Sequence, residues 1–71
     1  MKKFIIQDAE FITITQFLKV EGYIQSGGEA RLFFATNKPT LNNEEIFEKK
    51  KKMRPGDILH VLDEVYTFSY D

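Results

Sequence analysis

An α+β domain, with two short helices packed on one face of a small, mainly antiparallel sheet of about three to five strands, is the fold class this sequence predicts. Three features point to it. Two capping boxes, Thr13 with Gln16 and Ser26 with Glu29, each precede a short run with helical apolar spacing. Gly22 stands between those runs and suits the left-handed cap that ends a helix. Near the C-terminus, residues 57–62 and 65–70 are β-rich runs separated by Asp63-Glu64, the pattern of a hairpin.

Phe4 to Gln7 reads as a short strand, and Asp8-Ala9-Glu10 as the turn that brings the chain through Phe11-Ile12 to the first helix. That helix begins at Thr13 and runs toward Gly22, with Ile14, Phe17 and Leu18 spaced to form one apolar stripe. The second helix, opened by Ser26, repeats the stripe with Ala30, Phe33 and Phe34, adds Leu32 at its flank, and ends near Asn37, which tolerates a left-handed cap. Pro39 lacks a ladder donor, so Pro39-Thr40-Leu41 reads as the lead-in to an edge strand. Asn42-Asn43-Glu44 makes a turn, and Ile46-Phe47 belongs to a brief strand or an extended loop. Pro55-Gly56 is turn chemistry. Asp-Glu is a poor pair for a two-residue hairpin loop, so a loop of about three or four residues is expected at Asp63-Glu64.

Seventy-one residues make a single domain, spanning 1–71, near the lower size limit for a self-supporting core. With no cysteine and one histidine, neither a disulfide framework nor a metal cluster is expected, and no cofactor. A chain that is 42% hydrophobic and carries seven phenylalanines can instead fold on packing alone. No run approaches the roughly 18 apolar residues of a membrane span. Met1-Lys2-Lys3 leads only into Phe4-Ile5-Ile6 before Gln7 and Asp8, which is no signal peptide, so a cytoplasmic location is expected. The net charge of -1 gives no global basic field, so affinity for nucleic acid must depend on how charge is distributed.

The distribution is uneven. Lys49, Lys50, Lys51, Lys52 and Arg54 stand together beside Glu44, Glu45 and Glu48. Such a run is either a solvated loop or a set of phosphate contacts, whose release of counterions gives salt-dependent affinity with little sequence choice. Ser26-Gly27-Gly28 sets backbone N–H groups at a helix N-terminus, where an anion is favoured, though Glu29 already occupies part of that positive end. Lys19 and Arg31 lie on outer helix faces, and Gln16 and Gln25 offer amides that reach bases or sugar hydroxyls. Tyr23 is read as a core or hinge residue ahead of a base-stacking one. His60 alternates with Leu59 and Val61 as a strand residue, and no spacing around it suggests a triad or a metal site. Asp8, Glu10 and Glu21 could be imagined as acid and base, but a chain this short gives no apolar pocket to tune them.

Leu18, Gly22, Ser26, Ala30, Leu41-Asn42-Asn43 and Gly56-Asp57-Ile58-Leu59 follow one another in an order and spacing similar to the S4 domain, or alpha-L RNA-binding motif. Phe17-Leu18-Lys19, Ile24 to Gly28 and Arg31 resemble the small stand-alone bacterial members most, and the likeness covers residues 12 to about 62. Where many members carry basic residues, at the start of the first helix and after the serine, this chain has Thr13 and Gly27. The charge therefore shifts to the lysine run. The resemblance implies that structured or ribosomal RNA is held against the helix pair by shape and backbone, with the ribosome as a further partner. A non-catalytic RNA-binding module is thus expected, with no small-molecule substrate and no membrane partner. The rival reading is a protein-interaction module docking on a ribosomal or replication-associated partner. An accessory domain of a larger enzyme is placed behind both, since Met1 opens the chain and the final hairpin reads as finished.

Overall fold

The computed structural model describes residues 1–71. In chain order they form β1 (Lys2–Ile6), β2 (Ile12–Thr13), α1 (Ile14–Val20), a 3-10 turn (Gly27–Glu29), α2 (Ala30–Asn37), β3 (Thr40–Leu41), β4 (Glu44–Glu45), β5 (Lys52–Met53), β6 (Ile58–Val61) and β7 (Glu64–Tyr70). Five strands make one sheet in the order β1-β7-β6-β3-β4, while β2 and β5 pair separately. The expected α+β class holds, with one strand of different sense: β1 runs parallel to β7, from Lys2 opposite Tyr66 to Ile6 opposite Tyr70.

Local chemistry sets the helix ends. Thr13 Oγ1 accepts from the Gln16 N–H at 3.2 Å and Gln16 Oε1 accepts from the Thr13 N–H at 3.0 Å, a closed capping box at the start of α1. At its other end Gly22 takes φ +82°, and the N–H groups of Tyr23 and Gly22 donate to Leu18 and Lys19 carbonyls at 2.8 and 3.2 Å. That is a Schellman closure, which needs the left-handed residue. Glu29 reaches back so that its carboxylate accepts from the backbone N–H groups of Gln25 and Ser26, both at 3.0 Å. The left-handed residue after α2 is Lys38, at φ +48°, one position beyond the expected Asn37.

Alternation sets the sheet. Leu59 and Val61 of β6 and Tyr66 and Phe68 of β7 point inward, meeting Ile14, Phe17 and Leu18 of α1 and Ala30 and Phe34 of α2 in one buried cluster. Phe17 sits at its centre, with the rings of Phe4, Tyr66 and Phe68 at 5.1, 4.8 and 5.7 Å in edge-to-face contact. Tyr23 belongs to this group, its hydroxyl 2.7 Å from that of Tyr66. Leu32 does not join the stripe of α2 and is exposed.

Two expectations need correction. β3 is interior, paired with β6 on one side and β4 on the other. Pro39 escapes conflict because it precedes the ladder, and its carbonyl still accepts from Ile46 N–H at 3.0 Å. The final hairpin has a two-residue loop, since Val61 pairs with Glu64; the loop is Leu62-Asp63, with Leu62 at φ +54°. By contrast Asn42-Asn43, both at positive φ, form the tight hairpin turn between β3 and β4 for which asparagine is suited.

Candidate nucleic-acid interface

The lysine run is strapped to the start of α1. β5 pairs with β2, Lys52 opposite Thr13 and Met53 opposite Ile12. The Ile14 N–H donates to the Lys51 carbonyl at 2.8 Å, and the Thr15 hydroxyl donates to the Lys49 carbonyl at 2.6 Å. An α-helix leaves its first N–H groups without intrahelical partners, and here the strap meets one of them. Met53 is wholly buried beneath it. The run read in sequence as a solvated loop or a set of phosphate contacts is thus tied down through its backbone, and its side chains are dealt to different faces.

Lys49 and Lys50 face a cleft of about 740 Å³ lined also by Thr13, Thr15, Gln16, Gly27 and Arg31, with Phe47 and Glu48 at its side. Of the residues singled out from sequence, the structure brings Gln16, Gly27, Arg31, Lys49 and Lys50 together here. Three cations face one carboxylate, so the cleft favours an anion. The Gln16 side-chain oxygen is committed to the Thr13 N–H, which leaves its amide N–H groups as donors toward the cleft.

The others lie elsewhere. Lys51 lines a small hollow with Glu44, Glu45 and Glu48. Lys52 and Arg54 stand over the ring of Phe11, with the Lys52 ammonium 4.8 Å and the Arg54 guanidinium 5.4 Å from its centroid. Phe11 lines a second, more apolar cleft of about 630 Å³ between β1 and α1, where Lys19 also sits, and Gln16 touches both clefts. Gln25, Ser26 and Gly28 line neither cleft, and the Glu29 carboxylate takes the N–H groups of Gln25 and Ser26. Neither Gly27 nor Gly28 has a positive φ, and a Cβ on Gly27 would meet the Thr15 methyl at an ordinary 3.7 Å.

Phe47 was not among the residues singled out, yet it lines the basic cleft while 74% exposed. The signal was present in Ile46-Phe47: in extended chain neighbouring side chains point opposite ways, so only one of the two can enter the core. Ile46 does.

The Asn42-Asn43 turn and the Gly56-Asp57 pair form one unit. Asp57 accepts from the Arg54 backbone N–H and from the Asn42 amide, both at 2.9 Å, while Asn42 Oδ1 accepts from Ile58 N–H at 2.9 Å. Pro55-Gly56 makes the turn between them, with Gly56 at φ +98°. This knot fixes where β5 ends and β6 begins, and so where the lysine strap lies.

A helix pair closed by a Ser-Gly corner, an asparagine hairpin tied to a Gly-Asp turn and a basic cleft at the first helix are the parts of an S4 domain. The family model for the S4 domain matches residues 4–68, taking in most of β1 and of β7, and the chain belongs to that family. Among curated proteins it is similar to the probable ribosome maturation protein RlbA of Bacillus subtilis (strain 168), with 37% identity over 54 residues, 76% of each chain.

Proposed function

We propose that this protein is a non-catalytic RNA-binding module that acts on the ribosome or its assembling RNA, with RNA backbone seated in the cleft of Arg31, Lys49 and Lys50. The observation that carries the reading is the convergence of these cations, from α2 and from the strap, beside the free amide of Gln16. Membership of the S4 family and similarity to a ribosome maturation protein support an RNA-related, ribosome-associated role. The fold buries no charged side chain, and His60 stands exposed on β6. No helix is long and apolar enough to cross a membrane, and similarity to a ribosome maturation protein supports a cytoplasmic location.

The test replaces Lys49, Lys50, Lys51 and Lys52 with Glu and compares capture of cellular RNA by parent and variant, with far-UV circular dichroism to confirm that both are folded. Loss of RNA is expected. Equal capture by the folded variant would remove the RNA reading. The second reading, a protein-interaction module docking on a ribosomal or replication-associated partner, is favoured by the apolar cleft between β1 and α1, where Val20 is two-thirds exposed. It predicts that ribosome association survives the lysine replacements and fails on Val20→Glu.

A further inference from the structure

Phe47 lies between two backbone anchor points and is largely exposed. On one side Ile46 is buried and its N–H is bonded to Pro39; on the other, the Lys49 carbonyl is bonded to the Thr15 hydroxyl at 2.6 Å. Phe47 therefore spans two anchored points, with its ring set out into solvent. The contrast with Phe11 is direct: that ring carries the Lys52 and Arg54 cations. Phe47 carries neither a cation nor another ring; besides the basic cleft it borders a smaller hollow lined by Arg31, Phe34, Ala35 and Glu45, and the hollow in which Lys51 meets Glu44, Glu45 and Glu48.

We propose that Phe47 is a stacking platform for an unpaired nucleobase of RNA, with Arg31, Lys49 and Lys50 taking the phosphates on either side. The proposal deepens the RNA-binding reading above and rests on it. On its cleft side Phe47 stands beside Arg31, Lys49 and Lys50 with Glu48 as the one carboxylate, which matches a ligand that is flat and apolar at one point and anionic next to it, while Glu44 and Glu45 lie on its other side. A nucleotide has both properties, and base stacking on aromatic side chains tolerates any base. The cleft volume falls within the range of small-ligand sites. Bases within a duplex are stacked on each other and cannot present a face to the ring, so the RNA recognised here is a loop, bulge or end with a splayed nucleotide.

The chain contains no tryptophan, so Phe47→Trp supplies a single reporter at the platform. An RNA hairpin with a single-stranded loop and a blunt RNA duplex of equal length are titrated while Trp emission and the polarisation of end-labelled RNA are followed together. Quenching of the emission by the hairpin and not by the duplex is expected. Phe47→Ala should weaken hairpin binding about tenfold or more and leave duplex binding within about twofold. Hairpin binding without quenching, or equal affinity of Phe47→Ala and parent for the hairpin, overturns the stacking proposal alone. No polarisation change with either RNA overturns it together with the RNA-binding reading. Quenching by cellular protein in place of RNA would assign the ring to a protein contact and likewise overturns it.

Discussion

Replacing Lys49 and Lys50 together by Gln separates the two cleft lysines from the rest of the run, which reads as one patch in sequence and is divided in the fold. With Arg31, these lysines are the cations that line the basic cleft; Lys51 faces Glu44, Glu45 and Glu48, and Lys52 lies over Phe11. If each cleft cation neutralises one phosphate of an unpaired strand, the logarithm of affinity falls against the logarithm of salt with a slope near -0.7 per contact, or about -2.1 for the parent. Raising salt from about 50 to 200 mM then costs the parent about 18-fold in affinity. The double variant retains one contact, a slope near -0.7 and a loss of about 2.6-fold over the same interval. Polarisation of a labelled RNA hairpin titrated at several salt concentrations measures both slopes, and thermal melting checks that the strap is intact. Lys51→Gln is the internal control and should leave the parent slope unchanged. A double variant with the parent slope, or a Lys51→Gln slope as flat as the double variant's, would refute the assignment of the phosphates to this cleft.

Burial in the aromatic core, and then the hydrogen bond with Tyr23, hold the Tyr66 phenol well above its ordinary ionisation range. The folded state therefore keeps a proton that the unfolded state gives up near pH 10, so this stabilisation is intact below about pH 10 and is lost as pH rises above it, at up to about 1.4 kcal/mol per pH unit. Urea unfolding between about pH 9 and 11 should show a shallower decline for Tyr66→Phe than for the parent, and parallel declines would sink the idea. Leu62 at φ +54° carries a left-handed penalty of about 1–2 kcal/mol that glycine avoids at an entropic cost of about 0.5–1 kcal/mol. Leu62→Gly should raise the melting temperature by a few degrees; a lower one speaks against strain at that turn. Asn42→Ala and Asp57→Ala should each destabilise by about 1–2 kcal/mol, with a coupling near 1 kcal/mol in a double-mutant cycle read by urea unfolding. Strict additivity would mean that the bond between them contributes nothing.

What was legible in the sequence was local. Thr13 with Gln16, and Gly22 after α1, act over three to six residues, and their geometry appears as read. The Asn42-Asn43 turn is legible for the same reason, since positive φ at two adjacent residues suits asparagine. The parallel partner of β1 left no such mark, because pairing between Lys2 and Tyr66 depends on the whole intervening chain. At the final hairpin, apolar Leu62 was counted into its strand; in the fold it is exposed at the bend, which moves the loop back by one residue. Within the candidate site, residue type showed the charge but not its partition. That partition follows from β5 alternation, which buries Met53 and turns Lys52 outward, and from the hydrogen bonds that Lys49 and Lys51 carbonyls accept from the start of α1.

The pairing of β1 with β7 also sets the order in which the molecule can be assembled. A chain made from its N-terminus releases Phe4 and Ile6 early, and both helices carry their own stop and start signals. Even so, β1 has no strand beside it until Tyr66 to Tyr70 have been made. The ion pair of Lys2 with Glu64, 2.8 Å apart, is likewise a bond between early and late residues. Contacts so distant along the chain slow folding, because the loop must close before they stabilise anything. β1 can join the sheet only once β7 exists, so that edge of the five-stranded sheet cannot form before Tyr66 to Tyr70 are in place.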